Sequence, residues 1–237
     1  MVIDMHAHIL PGMDDGSDSV QTSFQMLHKM QTDGIDAVVA TPHFRIWEES
    51  VSDFSERRSR ATQQLGKACL SPHPSIFLGA EVAYSSKLRQ LKNLRDLCIE
   101  GTDTLLLEMP LSQWGNTEAD FISHLALDEG LHVVLAHLER GLPFQKDRAV
   151  LDSILLLPIY VQINANALLR FPHRKKFARM FEDGTAHLLG SDSHNMSTRM
   201  PNLVGARKVL RRLTDETVLE RIDRCGELLL KGTKESK

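Results

Sequence analysis

A chain of 237 residues with 42% hydrophobic content is long enough for one sizeable core and falls in the size range where α/β barrels run as a single domain. Its 28 Lys plus Arg nearly balance 31 Asp plus Glu, giving a net charge of -3 with no block of like charges, which argues against nucleic acid as a partner. No stretch approaches the ~18 apolar residues of a membrane span, and the N-terminus opens directly on strand residues, so a cytoplasmic protein without membrane insertion is expected.

The first strand ends in His6-Ala7-His8. In an extended strand residues i and i+2 point to the same side, so both imidazoles can serve one cation. Five further apolar runs stop at a residue able to bind metal: 38–43 at His43, 76–81 at Glu81, 105–108 at Glu108, 133–137 at His137, and 188–194 at Asp192 and His194. Between the first two lie the turn Asp14-Asp15-Gly16, where one carboxylate can join the site, and a helix that Ser17 or Asp18 can cap, with Val20, Phe24, Leu27 and Ile35 toward the sheet. Pro42 ends the second strand, 36–40, and leaves His43 at its mouth.

A helix from about Ser50 to Leu70 follows, with Phe54, Ala61, Leu65 and Ala68 as its apolar stripe and Glu56, Arg57, Arg58 and Arg60 on a solvated face. Strands three and four, ending at Glu81 and Glu108, are separated by a helix through Leu88 and Leu91. Thr117 can cap the next helix, which carries Phe121, Ile122 and Leu125. Strand five delivers His137, with Arg140 three residues beyond it. Strand six, 160–163, ends in Asn164-Ala165-Asn166, amides that orient neighbours or satisfy a turn. Helices over 147–157 and 173–182 flank that strand, strand seven brings Asp192 and His194, and Arg199 follows. Helices over 202–213 and 214–230 close the chain, and 232–237 read as a frayed tail.

Strict alternation of strand and helix implies parallel strands, which right-handed crossovers close into a barrel with its chemistry at the C-terminal mouth. All the candidate ligands fall at that end. Histidine nitrogen and carboxylate oxygen without thiolate favour manganese, iron, zinc or magnesium, and the donors exceed what one ion needs. Two or three clustered ions would lower the pKa of a bridging water and neutralise a phosphoester's oxygens. Arg140 and Arg199 suit phosphoryl oxygens through their forked geometry. Cys69, Cys98 and Cys225 are followed six positions later by Ser75, Thr104 and Lys231, so the phosphate loop of cysteine-dependent phosphatases is absent and buried, inert thiols are expected.

Taken together, His6-Ala7-His8, Asp14-Asp15-Gly16, Thr41-Pro42-His43, Gly79-Ala80-Glu81, Glu108, Ala136-His137-Leu138-Glu139-Arg140 and Ser191-Asp192-Ser193-His194-Asn195 resemble the polymerase and histidinol phosphatase (PHP) superfamily. More narrowly, they resemble its CpsB/CapC branch of metal-dependent protein-tyrosine phosphatases, over residues 3 to about 201. The resemblance implies a distorted seven-stranded (β/α)7 TIM-like barrel with three divalent ions, often manganese. It implies His6, His8, Glu81 and Asp192 at the first ion, Glu81, Glu108 and His137 at the second, and Asp15, His43 and His194 at the third. Arg140 and Arg199 would hold phosphate, and the substrate would be the tyrosine-rich tail of a bacterial tyrosine kinase controlling capsule or exopolysaccharide assembly. Two positions depart from the branch: residues 44–49 lack its Gly-containing basic and aromatic pattern, and Gly141 stands where it commonly has an aromatic residue.

The expected reaction is in-line attack of a metal-bridging hydroxide on phosphorus, expelling tyrosine phenolate without a covalent phosphoenzyme; the general acid is left open between His43 and a metal-bound water. The alternatives are a small-molecule phosphomonoesterase such as a histidinol phosphatase, a metal-dependent amidohydrolase, and a binding module without turnover. Glu108 at strand four, where many amidohydrolases carry a bridging lysine, weighs against the second of these.

Overall fold

The computed structural model describes residues 1–68 and 73–231. Its strands are β1 (Ile3–Ala7), β2 (Ala37–Ala40), β3 (His43–Phe44), β4 (Ser75–Leu78), β5 (Glu81–Ala83), β6 (Thr104–Glu108), β7 (His132–Leu135), β8 (Tyr160–Asn164) and β9 (Leu188–Gly190). Every pairing is parallel, in the orders β1-β2-β4 and β3-β5-β6-β7-β8-β9. The expected second strand is split into β2 and β3 around Pro42, which has no N–H for the ladder. The third is split into β4 and β5 at Gly79-Ala80. Seven strand positions therefore remain, and they form a ring. Gly79 N–H donates to Ala40 O at 2.9 Å and Glu81 N–H to Pro42 O at 3.0 Å, carrying the pairing across both breaks. Asp192 N–H to His6 O and His8 N–H to Ser193 O, each 2.8 Å, join the last strand to the first. The architecture is the expected α/β, TIM-like barrel.

β1 holds an irregularity that matters for the site. Its register against β2 shifts between Asp4 and Ala7. Ile3 and Met5 pack in an inner cluster with Val39, Leu106, Val134 and Leu188, whereas Ala7 packs in the larger outer cluster with Val38 and Ala40. Plain alternation would keep residues 3, 5 and 7 on one face, so the bulge reverses parity midway along the strand. Apolar side chains thus fill the barrel below while His6 and His8 enter the same interior above.

The helices are α1 (Val20–Thr32), α2 (Val51–Ala68), α3 (Asn116–Ser123), α4 (Leu138–Gly141), α5 (Arg148–Leu155), α6 (Ala165–Leu169), α7 (Arg174–Glu182), α8 (Leu203–Leu213) and α9 (Thr217–Leu230). α9 brings Leu229 and Leu230 against the inner cluster, closing the barrel floor. Ser19, rather than Ser17 or Asp18, caps α1 by accepting from Thr22 N–H at 3.2 Å. Ser17 is drawn inward to bond Ser23, at 2.8 Å. The buried stripe of α1 is Ser23, Met26, Leu27 and Met30, while Phe24 stays half-buried and stacks on His28. α2 buries Phe54, Ala61 and Leu65 as expected, but its basic face is not merely solvated. Arg58 donates to Gly79 O at 2.8 Å and Asp96 O at 3.1 Å, and Arg57 donates to Met13 O, so both pin the helix to neighbouring loops. α3 begins one residue before Thr117, and Glu118 accepts from Gly115 N–H at 2.8 Å in place of a Thr117 cap. Two 3₁₀ turns, Ser86–Gln90 and Leu94–Leu97, stand where one helix was expected.

Burial pushes the thiols of Cys98 and Cys225 up to about 12 and about 11, in keeping with inert cysteines. Cys69, Leu70 and the expected frayed tail lie outside the described residues. Among those described, no helix is long and apolar enough to cross a membrane.

Candidate metal centre

Strand mouths from around the ring deliver their side chains to one point, and Glu81 occupies its middle. Glu81 Oε2 lies 3.2 Å from His6 Nε2, 3.2 Å from His8 Nε2 and 3.0 Å from His43 Nδ1, and Oε1 lies 2.7 Å from His137 Nε2. Asp192 Oδ1 stands 3.7 Å from His6 Nε2 and 3.5 Å from His8 Nε2. Glu108 reaches His137 Nε2 at 3.6 Å, and Asp15 reaches His43 and His194 at 3.5 and 3.6 Å. All nine residues singled out as ligands are therefore in one cluster.

The hydrogen bonds behind this cluster determine what it offers. His6 Nδ1 sits 3.3 Å from Gln162 Oε1, His8 Nδ1 2.7 Å from Asp14 Oδ2, and His194 Nδ1 3.0 Å from the Asp192 carbonyl. These partners are all oxygen acceptors, so each Nδ1 carries the proton and each Nε2 presents a lone pair to the centre, as metal-binding histidine requires. Nothing among the described residues satisfies those lone pairs. His6 Nε2 and His8 Nε2 face one another at 3.1 Å, and Glu81 Oε2, His43 Nδ1 and His194 Nε2 are buried without a hydrogen-bond partner. Orphaned donors and acceptors at this density are costly unless a cation is shared among them. The donor set fits divalent metal ions: His6, His8 and Glu81; His8, His43 and His194; Asp14, Asp15 and His43; and His43, Glu81 and Glu108 each bring ligand atoms within 4.8 Å of one another.

Electrostatics agree with this reading. Burial alone would raise the Glu81 pKa, yet the imidazoles of His6, His137 and His43 hold it well below the ordinary carboxylate range. Burial would lower His8, but its hydrogen bond to Asp14 and the nearby Glu81 carboxylate outweigh it and push the ring up to about 10 when no cation competes for Nε2. His194 falls to about 4 through burial and the neighbouring charges of His8 and Arg199. The site thus keeps Glu81 and Asp192 ionised while its inward nitrogens compete for positive charge.

Two backbone features hold the ligands in place. His137 has φ 30° and Asp192 φ 51°, both in the left-handed region that non-glycine residues seldom adopt. Each is braced by β8: Gln162 Oε1 accepts from His137 N–H at 2.7 Å, Gln162 Nε2 donates to Asn164 Oδ1 at 2.8 Å, and Asn164 Nδ2 donates to Asp192 Oδ2 at 2.8 Å. The strand that contributes no ligand positions three. A Cβ at Gly190 would meet His6 Cβ at 2.6 Å and Gln162 Nε2 at 2.8 Å, so this position requires glycine. Gly190→Ala is expected to lower metal content and melting temperature together, measured by elemental analysis and thermal unfolding.

Asp14, adjacent to the expected ligand Asp15, orients two elements: besides holding His8 it accepts from His43 N–H at 2.8 Å and Gly16 N–H at 2.9 Å. The structure thus gives both carboxylates of the Asp-Asp-Gly turn work, Asp14 behind the site and Asp15 facing it. Gln162 was not legible as a site residue, because it lies inside its strand and offers no ligand atom at the mouth. Arg199 donates to Asp192 Oδ1 at 2.8 Å and lies 3.6 Å from Asp15; Arg140 lies 3.6 Å from Asp192 Oδ2. Asn195 Oδ1 accepts from the backbone N–H groups of Ser197, Thr198 and Arg199, which shapes the turn carrying that arginine. At Gly141 a Cβ would meet Trp114 Cζ2 at 2.9 Å, so the indole of Trp114 fills the space that a larger side chain there would need.

Residues 2–226 match the family described as Capsular polysaccharide synthesis, CpsB/CapC. The chain is 27% identical over 225 residues to the tyrosine-protein phosphatase CpsB of Streptococcus agalactiae, covering 88% of this chain and 89% of that protein. It is 27% identical over 240 residues to the tyrosine-protein phosphatase YwqE of Bacillus subtilis, covering 98% and 92%. It also superposes, with a TM-score of 0.82 and 25% identity over 97% of this chain and 94% of the other, on a solved structure from work on YwqE of Bacillus subtilis and CpsB of Streptococcus pneumoniae, described as unique metal-dependent tyrosine phosphatases.

Proposed function

The chain belongs to the CpsB/CapC capsular polysaccharide synthesis family, and from that membership we propose that it is a metal-dependent tyrosine phosphatase acting on phosphotyrosine in a protein. The observation that carries this reading is the convergence of four imidazoles on the buried Glu81, with His194, Asp15, Glu108 and Asp192 around them and two arginines beside.

In this proposal His6, His8, Glu81 and Asp192 hold one divalent ion, Glu81, Glu108 and His137 a second, and Asp15, His43 and His194 a third, with manganese first in preference before iron, zinc or magnesium. Such ions supply Lewis acidity, ionising water near neutral pH and offsetting phosphoryl charge. The chain's own side chains do the rest. Arg140 and Arg199, both part-exposed and flanking Asp192, fork onto phosphoryl oxygens and hold the charge that spreads over them during transfer. Phenolate, whose parent pKa is about 10, leaves without strong protonation. His43 is the imidazole most open to solvent, 12% exposed against 2% or less for the others, but its nitrogens face Asp15 and Glu81, which favours water over His43 as the proton source for the leaving oxygen.

The substrate we propose is the tyrosine-rich tail of a bacterial tyrosine kinase that controls capsule or exopolysaccharide assembly; the family's description supports the connection to capsule. The test is turnover of a phosphotyrosine peptide before chelation, after chelation and after manganese is restored, alongside histidinol phosphate. Loss and recovery with the peptide preferred is the expected result. Turnover that survives chelation, or a preference for histidinol phosphate, would overturn the proposal.

A further inference from the structure

A cavity of about 500 Å³ opens beside the metal centre, and its lining changes character along its length. Asp192, Arg140 and Arg199 form the end nearest the centre. Leu142 and Phe177, both buried, give it an apolar wall suited to an aromatic ring. Arg170, His173 and Lys176, all exposed, come from the end of α6, the turn after it and the first part of α7 to form the outer wall.

The outer wall has no internal charge balance. None of these three side chains forms an ion pair with a carboxylate among the described residues. Among the described residues, the acidic groups lining the cavity are Asp192, already engaged by Arg199 and Asn164, and Glu139, which is turned to accept from Asn164 N–H at 3.3 Å. A phosphotyrosine with its phosphate at the inner end and its ring along Leu142 and Phe177 would bring its neighbouring residues to the Arg170 guanidinium and the Lys176 ammonium, with His173 beside them.

We infer that Arg170, His173 and Lys176 form a subsite for an acidic side chain close in sequence to the phosphotyrosine, which makes the enzyme selective for acidic phosphopeptides; this rests on the phosphatase reading above. Exposed charges of this kind act mainly through encounter and selection rather than chemistry, and their effect weakens with salt.

The test compares kcat/KM at low ionic strength for two phosphotyrosine peptides that differ only in the flanking residues, Glu in one and Lys in the other, on the wild-type enzyme and on R170E/K176E. Wild type is expected to prefer the Glu peptide by about tenfold, the preference shrinking as salt is added, and the variant is expected to lose or invert it. Efficient turnover with no preference in the wild type, or an unchanged preference in the variant, would overturn the subsite and leave the phosphatase reading standing. No turnover of either peptide by wild type would overturn both.

Discussion

Glu81→Gln is expected to lower phosphotyrosine turnover by about 10³-fold or more, because it takes the shared charge out of the centre while leaving its volume in place. In the native arrangement one carboxylate stands within 3.2 Å of nitrogens from His6, His8 and His43, and its other oxygen within 2.7 Å of His137. An amide retains one oxygen and turns an N–H toward imidazole nitrogens whose lone pairs the cations need, so it weakens cation affinity both by removing a charged ligand oxygen and by occupying those lone pairs. Metal content measured on the same preparation should fall with activity. Gln162→Ala offers a graded comparison, since Gln162 touches His6 and His137 without facing the centre. Loss of such an outer partner is expected to cost about 10- to 100-fold in metal affinity. Equal metal content and near-normal turnover in Glu81→Gln would show that Glu81 is not a ligand.

Arg199→Ala is expected to reduce kcat/KM by about 10² to 10³, the range found when one preorganised donor to developing charge is removed. Arg199 has two attachments, to Asp192 Oδ1 at 2.8 Å and to Asp15 at 3.6 Å, so its guanidinium is held beside the metal ligands before substrate arrives. Arg140 is tied to Asp192 only at 3.6 Å. Lysine at either position should recover little, because a point charge cannot reproduce the planar fork. Since both arginines are assigned to the same phosphate, the double variant should lose less than the product of the single losses. Inhibition by inorganic phosphate should weaken in the same variants, which separates a defect in anion binding from a defect in metal loading.

The main lines of this fold were legible because barrel chemistry imposes a simple rule: each parallel strand is apolar along its length and hands over one polar side chain at its mouth. His6, His43, Glu81, Glu108, His137 and Asp192 all obey that rule, and all meet. What the linear pattern concealed depends on contacts between distant residues. The bulge in β1, which lets Met5 and His6 share the barrel interior, arises from register against a partner strand and leaves no mark in composition. The Gln162–Asn164 brace requires knowing that β8 lies between β7 and β9. The left-handed backbone at His137 and Asp192 would be assigned to glycine or asparagine by local preference, and only the surrounding bonds hold other residues there. Helix starts were displaced by one to three residues for a related reason. Ser17, a reasonable cap by type, finds a better partner in Ser23, and the cap passes to Ser19.

The cluster around Glu81 is the feature on which the chemistry rests, and one measurement addresses it directly. Crystals of the wild-type protein grown with manganese, with diffraction recorded at the manganese edge, should show anomalous peaks bounded by His6, His8, His43, Glu81, Glu108, His137, Asp192, His194 and Asp15. A map without a peak among these side chains at saturating manganese, from protein that turns over phosphotyrosine, would contradict the assignment of the site as a metal centre.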